Sequence, residues 1–125
     1  MSAARTVTVH TLDHGPITIT CPDWCIGHEG PPQYRVDLSH FGPDRPLTLP
    51  TRRGPAIHLV TALEVRPYVD DSFLRLPFVG VHIGGDWYPT GLAGLEAMAD
   101  ALTAQADALR DQARELAVIL AGGRP

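Results

Sequence analysis

The chain has 125 residues, of which 44% are hydrophobic and 19% are charged, proportions that exclude a disordered protein. Its net charge is −4: residues 1–66 carry six arginines and six acids, whereas residues 67–125 carry four arginines and eight acids. The balance therefore excludes the basic footprint of a general nucleic-acid-binding protein. A chain of this length fits a single domain over 1–125.

The first residues lead straight into an alternating strand pattern, without the apolar stretch of a signal peptide. No apolar run approaches the roughly eighteen residues that a membrane-spanning helix requires. We therefore expect a cytoplasmic protein without a membrane segment. In that compartment the two cysteines, Cys21 and Cys25, stay reduced, which favours a metal site or catalysis over a disulfide.

The first predicted element is a β-hairpin over residues 5–20, whose strands alternate apolar and polar residues around turn chemistry at 13–16. Pairing around this turn places four apolar side chains on one buried face: Val7, Val9, Ile17 and Ile19. His10 falls on the opposite, threonine-rich face. Cys21 falls level with Arg5 at the open end of the hairpin.

The middle of the chain contains a loop and short strands. Residues 21–33 are rich in proline and glycine and show no period, which indicates a loop. Residues 34–40 alternate again and end at His40, which predicts a short third strand. Residues 41–55 contain four prolines and are expected to hold at most a short strand at 47–49.

Residues 56–84 give the clearest β pattern, which predicts a second hairpin that stops at Gly84-Gly85. Pro77 interrupts the phase of the return strand and suits an edge or a bulge. His58 and His82 fall on the less apolar face of this hairpin, where we interpret them as strand histidines whose further role the sequence leaves open.

Residues 91–121 predict one long helix with an unbroken heptad pattern. Leucine recurs every seven residues, interleaved with a second row that is mostly alanine: Leu95, Leu102, Leu109 and Leu116, with Leu92, Ala99, Ala106, Ala113 and Leu120. The predicted fold is α+β, with an antiparallel sheet of about four to five strands and the helix packed on it. Thirty helical residues span about 45 Å and a ten-residue strand about 33 Å, so we expect an overhang and a homodimer through the helix or the sheet.

The loop and strand over 21–40 carry the residues that predict a metal site. Cys21, Cys25 and His28 offer three ligands within eight residues, as zinc sites do. His40 is the fourth candidate, because the hairpin removes two other histidines: His10 lies on the wrong face, and His14 lies at the far turn, about 20 Å away. The alternatives are a disulfide or two buried thiols for the cysteines, and a core histidine bonded to backbone for His40. Asp23 and Glu29 flank the ligands and could accept an imidazole N–H.

The segment Cys21-Pro-Asp-Trp-Cys25, followed by His28, resembles an uncharacterised family of small actinobacterial proteins, a domain of unknown function. The similarity continues through Tyr34–His40, Leu59–Ala62 and Gly84–Pro89 into the helix, and so covers most of the chain. The resemblance implies no activity. It does imply that the two cysteines and a downstream histidine form a shared site.

Three functions compete at this point. The first is a non-enzymatic zinc-binding protein with a structural Cys2His2 site, serving as a protein-interaction or regulatory accessory module. The second is a nucleic-acid-contacting regulator that uses the loop arginines Arg45, Arg52 and Arg53. The third is a zinc-dependent hydrolase, which requires one candidate ligand, with His40 favoured, to be absent from the metal and Glu29 or Asp23 to act as general base. The sequence lacks the H-E-x-x-H pattern of such enzymes, so we expect no catalysis.

Overall fold

The computed structural model describes residues 5–123, so that the two ends of the predicted domain, 1–4 and 124–125, lie outside the described residues. One compact unit ends at Gly91, and a second begins at Leu92. The single domain expected from chain length stays a prediction.

The first unit contains two antiparallel sheets within the described residues. Their strands are β1 (Arg5–Thr11), β2 (Gly15–Cys21), β3 (His40–Phe41), β4 (Arg45–Leu49), β5 (Ala56–Val65), β6 (Phe78–Ile83) and β7 (Asp86–Thr90). The strands β1 and β2 pair with each other, and the second sheet runs β3-β5-β6-β7, with β4 also paired to β5. Antiparallel sheets with one long C-terminal helix confirm the predicted α+β class. The second sheet has five strands, as expected, and the first hairpin forms a two-stranded sheet of its own.

The first hairpin has the predicted register. Val7 pairs with Ile19, Val9 pairs with Ile17, and Arg5 pairs with Cys21 at the open end. The four apolar side chains of this row and Cys21 are half-buried or buried, whereas Arg5 and the threonines between them are exposed. Alternation with a period of two therefore identified the inward face correctly. The same alternation directs the side chain of Cys21 inward.

The predicted strand over 34–40 is wrong except at its last residue. A 3-10 turn covers Arg35–Asp37, and only His40 enters a strand, where it pairs with Val65 of β5. The turn is held from outside, because the carboxylate of Asp13 accepts the backbone N–H of Arg35 at 2.9 Å. Three alternating apolar residues, Tyr34, Val36 and Leu38, are compatible with a strand or with a turn, and the hydrogen bond from the first hairpin supports the turn.

The chain continues past Gly84-Gly85 into β7, a strand that the sequence analysis did not predict. The two glycines have φ of 59° and 89°, and they join Ile83 to its pairing partner Asp86. Two consecutive residues with positive φ form the tight connection that suits the twist of a hairpin. The return strand β6 begins immediately after Pro77, which therefore precedes the strand instead of forming a bulge.

The face of β5 that is less apolar in sequence holds a buried carboxylate. The side chain of Glu64 accepts a hydrogen bond from Nε of Arg66 at 2.6 Å, although Glu64 is only 1% exposed. The guanidinium of Arg66 lies 4.3 Å from the ring centroid of Trp87. Ion pairing and stacking on the aromatic ring thus compensate the burial of this charge. On the opposite face, Ile57 and Leu63 are exposed.

The second unit contains the helix α1 (Leu92–Leu120), in agreement with the predicted 91–121. None of its residues is buried. Leu102, Leu109 and Leu116 of the heptad pattern remain 47%, 56% and 54% exposed. Among the helices of the described residues, none combines the length and the apolar character that a membrane crossing requires.

Candidate metal centre

Cys21 is the last residue of β2 and is fully buried, with no exposed surface. It shares the inward face of the hairpin with Ile19, so the strand period fixes the direction of its thiol. On the paired strand, the guanidinium of Arg5 donates a hydrogen bond to the backbone carbonyl of Cys25. The hairpin thereby supplies one sulfur ligand and a cation beside it.

Cys25 and His28 come from the loop that follows β2. The backbone N–H of Cys25 donates to the carbonyl of Pro22 at 3.0 Å, which closes a turn and brings Cys25 back beside Cys21. Gly27 donates its N–H to Sγ of Cys25 at 3.4 Å. Its φ of 110° is one that glycine adopts readily, and it redirects the chain so that His28 faces both sulfurs.

His40 arrives from the second sheet. It is the first residue of β3, pairs with Val65, and is 4% exposed. The neighbouring Phe41 accepts the backbone N–H of Ile26 at 2.8 Å, which ties the loop to this strand. The pairing of β3 with β5 therefore determines where the fourth candidate ligand lies.

The four side chains converge on one point. One ligand atom from each of Cys21, Cys25, His28 and His40 lies within 4.8 Å of every other. Nε2 of His28 lies 3.3 Å from Sγ of Cys21, 3.6 Å from Sγ of Cys25 and 3.2 Å from Nδ1 of His40. One imidazole nitrogen therefore faces three potential ligands at once.

These distances match the edges of a metal tetrahedron. Zinc binds sulfur at about 2.3 Å and nitrogen at about 2.0–2.1 Å, so tetrahedral angles imply about 3.6 Å between S and N and about 3.3 Å between two nitrogens. The observed distances at His28 are close to both values. Hydrogen bonding alone does not explain the cluster, because a ring nitrogen has a single proton or lone pair in its plane.

The electrostatic setting favours neutral imidazoles at the cluster. Burial lowers the pKa of His28, and the nearby cation of Arg5 lowers this pKa further. Burial also lowers the pKa of His40, with a contribution from His28. At Cys21, burial and the neighbouring Cys25 raise the pKa of the thiol, while Arg5 opposes that rise. A metal must therefore displace a proton from sulfur, whereas the histidines are ready to bind.

The structure brings together all four residues proposed as ligands and leaves the other described histidines apart. His14 lies 3.2 Å from the carboxylate of Asp13 at the hairpin turn, while His58 and His82 are exposed on the second sheet. Among the described hydrogen bonds, no carboxylate of Asp23 or Glu29 accepts an imidazole N–H. Sequence reasoning missed the contribution of Gly27. The only indication of it in the sequence was that a glycine directly precedes His28.

A cleft of about 430 Å³ adjoins the cluster. It lies between β1 and the loop that carries His28, and Pro31, Pro32 and Phe41 contribute apolar surface to its lining. Glu29 and His10 add polar groups. Of the four clustered residues, His28 alone lines this cleft.

Comparison with known proteins gives a family match. A family model described as Domain of unknown function (DUF6907) matches residues 6–118, a range that contains all four clustered residues and most of α1. Neither the curated proteins nor the solved structures give a significant match. The resemblance to a domain of unknown function is thereby confirmed, and the actinobacterial origin stays a prediction.

Proposed function

This chain belongs to the DUF6907 family of domains of unknown function, and on that premise we propose its function from the cluster of Cys21, Cys25, His28 and His40. The proposal is a small zinc-binding protein with a structural Cys2His2 site, acting without catalysis as an interaction or regulatory accessory module. The observation that carries it is the approach of two sulfurs and one nitrogen to within 3.6 Å of Nε2 of His28.

The donor set supports zinc over the hard divalent cations. Two thiolates with two imidazoles in a tetrahedron suit zinc, whereas calcium and magnesium require oxygen ligands. The buried thiols lie within a chain that has no further cysteine, so a four-cysteine iron–sulfur centre is excluded by composition.

A closed coordination sphere supports a structural role. Four protein ligands complete the tetrahedron and leave no position for an activated water, which catalytic zinc requires. A hydrolase would need His40 to leave the metal, yet His40 is buried and fixed by its pairing with Val65. For the alternative nucleic-acid role, residues 5–123 show no feature beyond the exposure of Arg45, Arg52 and Arg53 that favours it.

The arrangement of the ligands explains what a structural zinc would do. Cys21 belongs to the two-stranded sheet, His40 belongs to the five-stranded sheet, and these sheets share no strand pairing. A bound metal would join them and close the loop that contains Cys25 and His28. Because the loop is rich in proline and glycine, metal binding would contribute directly to its folding free energy.

Metal analysis of the purified chain tests the proposal. We expect one zinc per chain in wild type, and strongly weakened binding in Cys25→Ser and His40→Ala. The matched controls are His10→Ala and His58→Ala, which remove histidines outside the cluster and should retain one zinc.

Two results would overturn the structural site. One is a metal-free protein that holds a disulfide between Cys21 and Cys25. The other is that His40→Ala still binds zinc tightly and that the zinc of the wild-type protein carries an exchangeable water. Together these observations would show an open coordination position.

A further inference from the structure

The helix α1 has one face without charge along its whole length. Its apolar stripe consists of two heptad rows: Leu92, Ala99, Ala106 and Ala113, and Leu95, Leu102, Leu109 and Leu116. All seven charged residues between 92 and 120 lie outside this stripe. Leu102, Leu109 and Leu116 remain 47–56% exposed, so the described chain leaves much of the stripe in contact with solvent.

We propose that the apolar stripe of α1 binds the same stripe of a second copy of this chain, with the two helices antiparallel. Heptad rows of this kind form the seam of two-stranded coiled coils. The inference is independent of the metal centre, because it rests on residues of α1 alone.

Side-chain volume favours the antiparallel orientation. When two such helices run in opposite directions, each residue of one row faces a residue of the other row. Leu102 then faces Ala106 of the partner subunit, Ala99 faces the partner's Leu109, and Leu95 faces the partner's Ala113. Each of these three layers combines a large and a small side chain, which gives even packing. At each end of the seam, Leu92 faces the partner's Leu116. A parallel pair would instead stack alanine on alanine and leucine on leucine.

Charge complementarity selects the same arrangement and fixes its register. The row beside the leucines contains Glu96 and Arg110. In the antiparallel register above, Glu96 faces the partner's Arg110, and two-fold symmetry forms this contact twice. The row on the other flank contains Met98, Gln105 and Gln112, which are uncharged. A parallel pair would place Glu96 and Arg110 against those uncharged residues and gain no ion pair.

The length of the seam is sufficient for a stable pair. From Leu92 to Leu116 the helix rises by about 36 Å at 1.5 Å per residue. Each of the Leu–Ala layers occurs twice along that distance because of the symmetry. Alanine at alternate positions lets the helix axes approach closely, toward the lower end of the usual 8–10 Å.

Charge reversal in the full, zinc-loaded chain tests both the partner and the orientation. Sedimentation equilibrium should give a dimer for wild type. Glu96→Arg and Arg110→Glu should each weaken dimerisation by about tenfold at low salt, because two attractive contacts become repulsive. The double variant should recover most of the wild-type affinity, since the exchanged charges again face each other.

Two matched controls separate these effects from a loss of helix stability. Asp100→Arg and Arg114→Glu make the same charge changes on the outer surface of α1 and should leave the dimer unchanged. Arg110 forms an intrahelical ion pair with Asp107, and Arg114 forms the equivalent pair with Asp111. Replacing either arginine therefore removes the same kind of contact from the helix.

Two outcomes would overturn the proposal. A wild-type chain that stays monomeric at high micromolar concentration would show that the stripe does not bind a second copy. A dimer that is insensitive to both reversals, or that the double variant fails to restore, would show a different partner face or orientation.

Discussion

His28 and His40 meet edge to face, with their ring planes 77° apart and the ring centroids 5.0 Å apart. Nε2 of His28 points at Nδ1 of His40 from 3.2 Å. Two neutral imidazoles in this orientation can form one N–H···N hydrogen bond, but they can also present two lone pairs to one metal ion. The contact of both sulfurs with the same nitrogen of His28 favours the ion.

The first prediction concerns which nitrogens bind the metal. In the zinc-loaded protein, His28 should coordinate through Nε2 and His40 through Nδ1, as their positions indicate. The remaining ring nitrogens should then carry protons. Long-range ¹⁵N–¹H spectra of the imidazoles, with cadmium-113 replacing zinc, would identify the bound nitrogen of each ring. Coordination of both rings through the same type of nitrogen would contradict this geometry.

The second prediction concerns Arg5, which donates to the carbonyl of Cys25 and opposes the rise that burial causes in the pKa of Cys21. Arg5→Gln should reduce zinc affinity by about tenfold, the lower end of the effects seen when groups around metal ligands are replaced. Competition with a fluorescent chelator measures the change. Arg45→Gln is the matched control, because Arg45 is exposed on β4 and should retain wild-type affinity.

The third prediction is a dependence of zinc affinity on pH. The raised pKa of Cys21 keeps its thiol protonated in the metal-free protein near neutrality, so zinc must displace that proton. Affinity should therefore fall as pH decreases, by about tenfold per pH unit for each displaced proton.

The histidines determine the pH below which zinc affinity falls more steeply. Because the pKa values of His28 and His40 are lowered, both rings stay neutral to lower pH than an ordinary histidine. They should add to the slope only below about pH 6.5, the usual histidine value. Chelator competition between about pH 6 and 8 checks both statements. Constant affinity across that range would mean that no thiol loses a proton on binding.

The fourth prediction concerns the buried carboxylate on the second sheet. A Cβ at Gly80 would lie 2.8 Å from Nε1 of Trp87 and 2.9 Å from Oε1 of Glu64. Gly80→Ala should therefore lower the free energy of unfolding by about 1–3 kcal/mol, as overpacked positions do. Chemical denaturation measures this. In a Trp87→Phe background the same change should cost less, and an equal cost in both backgrounds would exclude the indole as the cause.

Sequence reasoning grouped the four clustered residues because strand alternation indicates which face of the hairpin each side chain lies on. Placing Cys21 on the inward face removed His10, which has the opposite parity in the paired strand. His40 was selected correctly as the residue that completes the cluster, although the strand proposed to deliver it was mostly a turn. The prediction succeeded because only the end of that segment had to be extended.

Other features depended on contacts that a local pattern does not contain. Glu64 is polar and alternates with leucines, so its burial follows only from the ion pair with Arg66 and the stacking on Trp87. The strand β7 was missed although Gly84-Gly85 is a recognised hairpin connection. That signal was available in the sequence, and it was interpreted as the end of a strand.

The separation of the ligands along the chain has a consequence for the order in which the protein folds. Cys21, Cys25 and His28 lie within eight residues and can capture zinc with little loop closure, whereas His40 reaches its position only after β3 pairs with Val65. Cys21, Cys25 and His28 would therefore hold a metal first, and His40 would join them last. Rapid mixing with cobalt would resolve this as two absorbance phases, and slowing β3–β5 pairing would delay only the second.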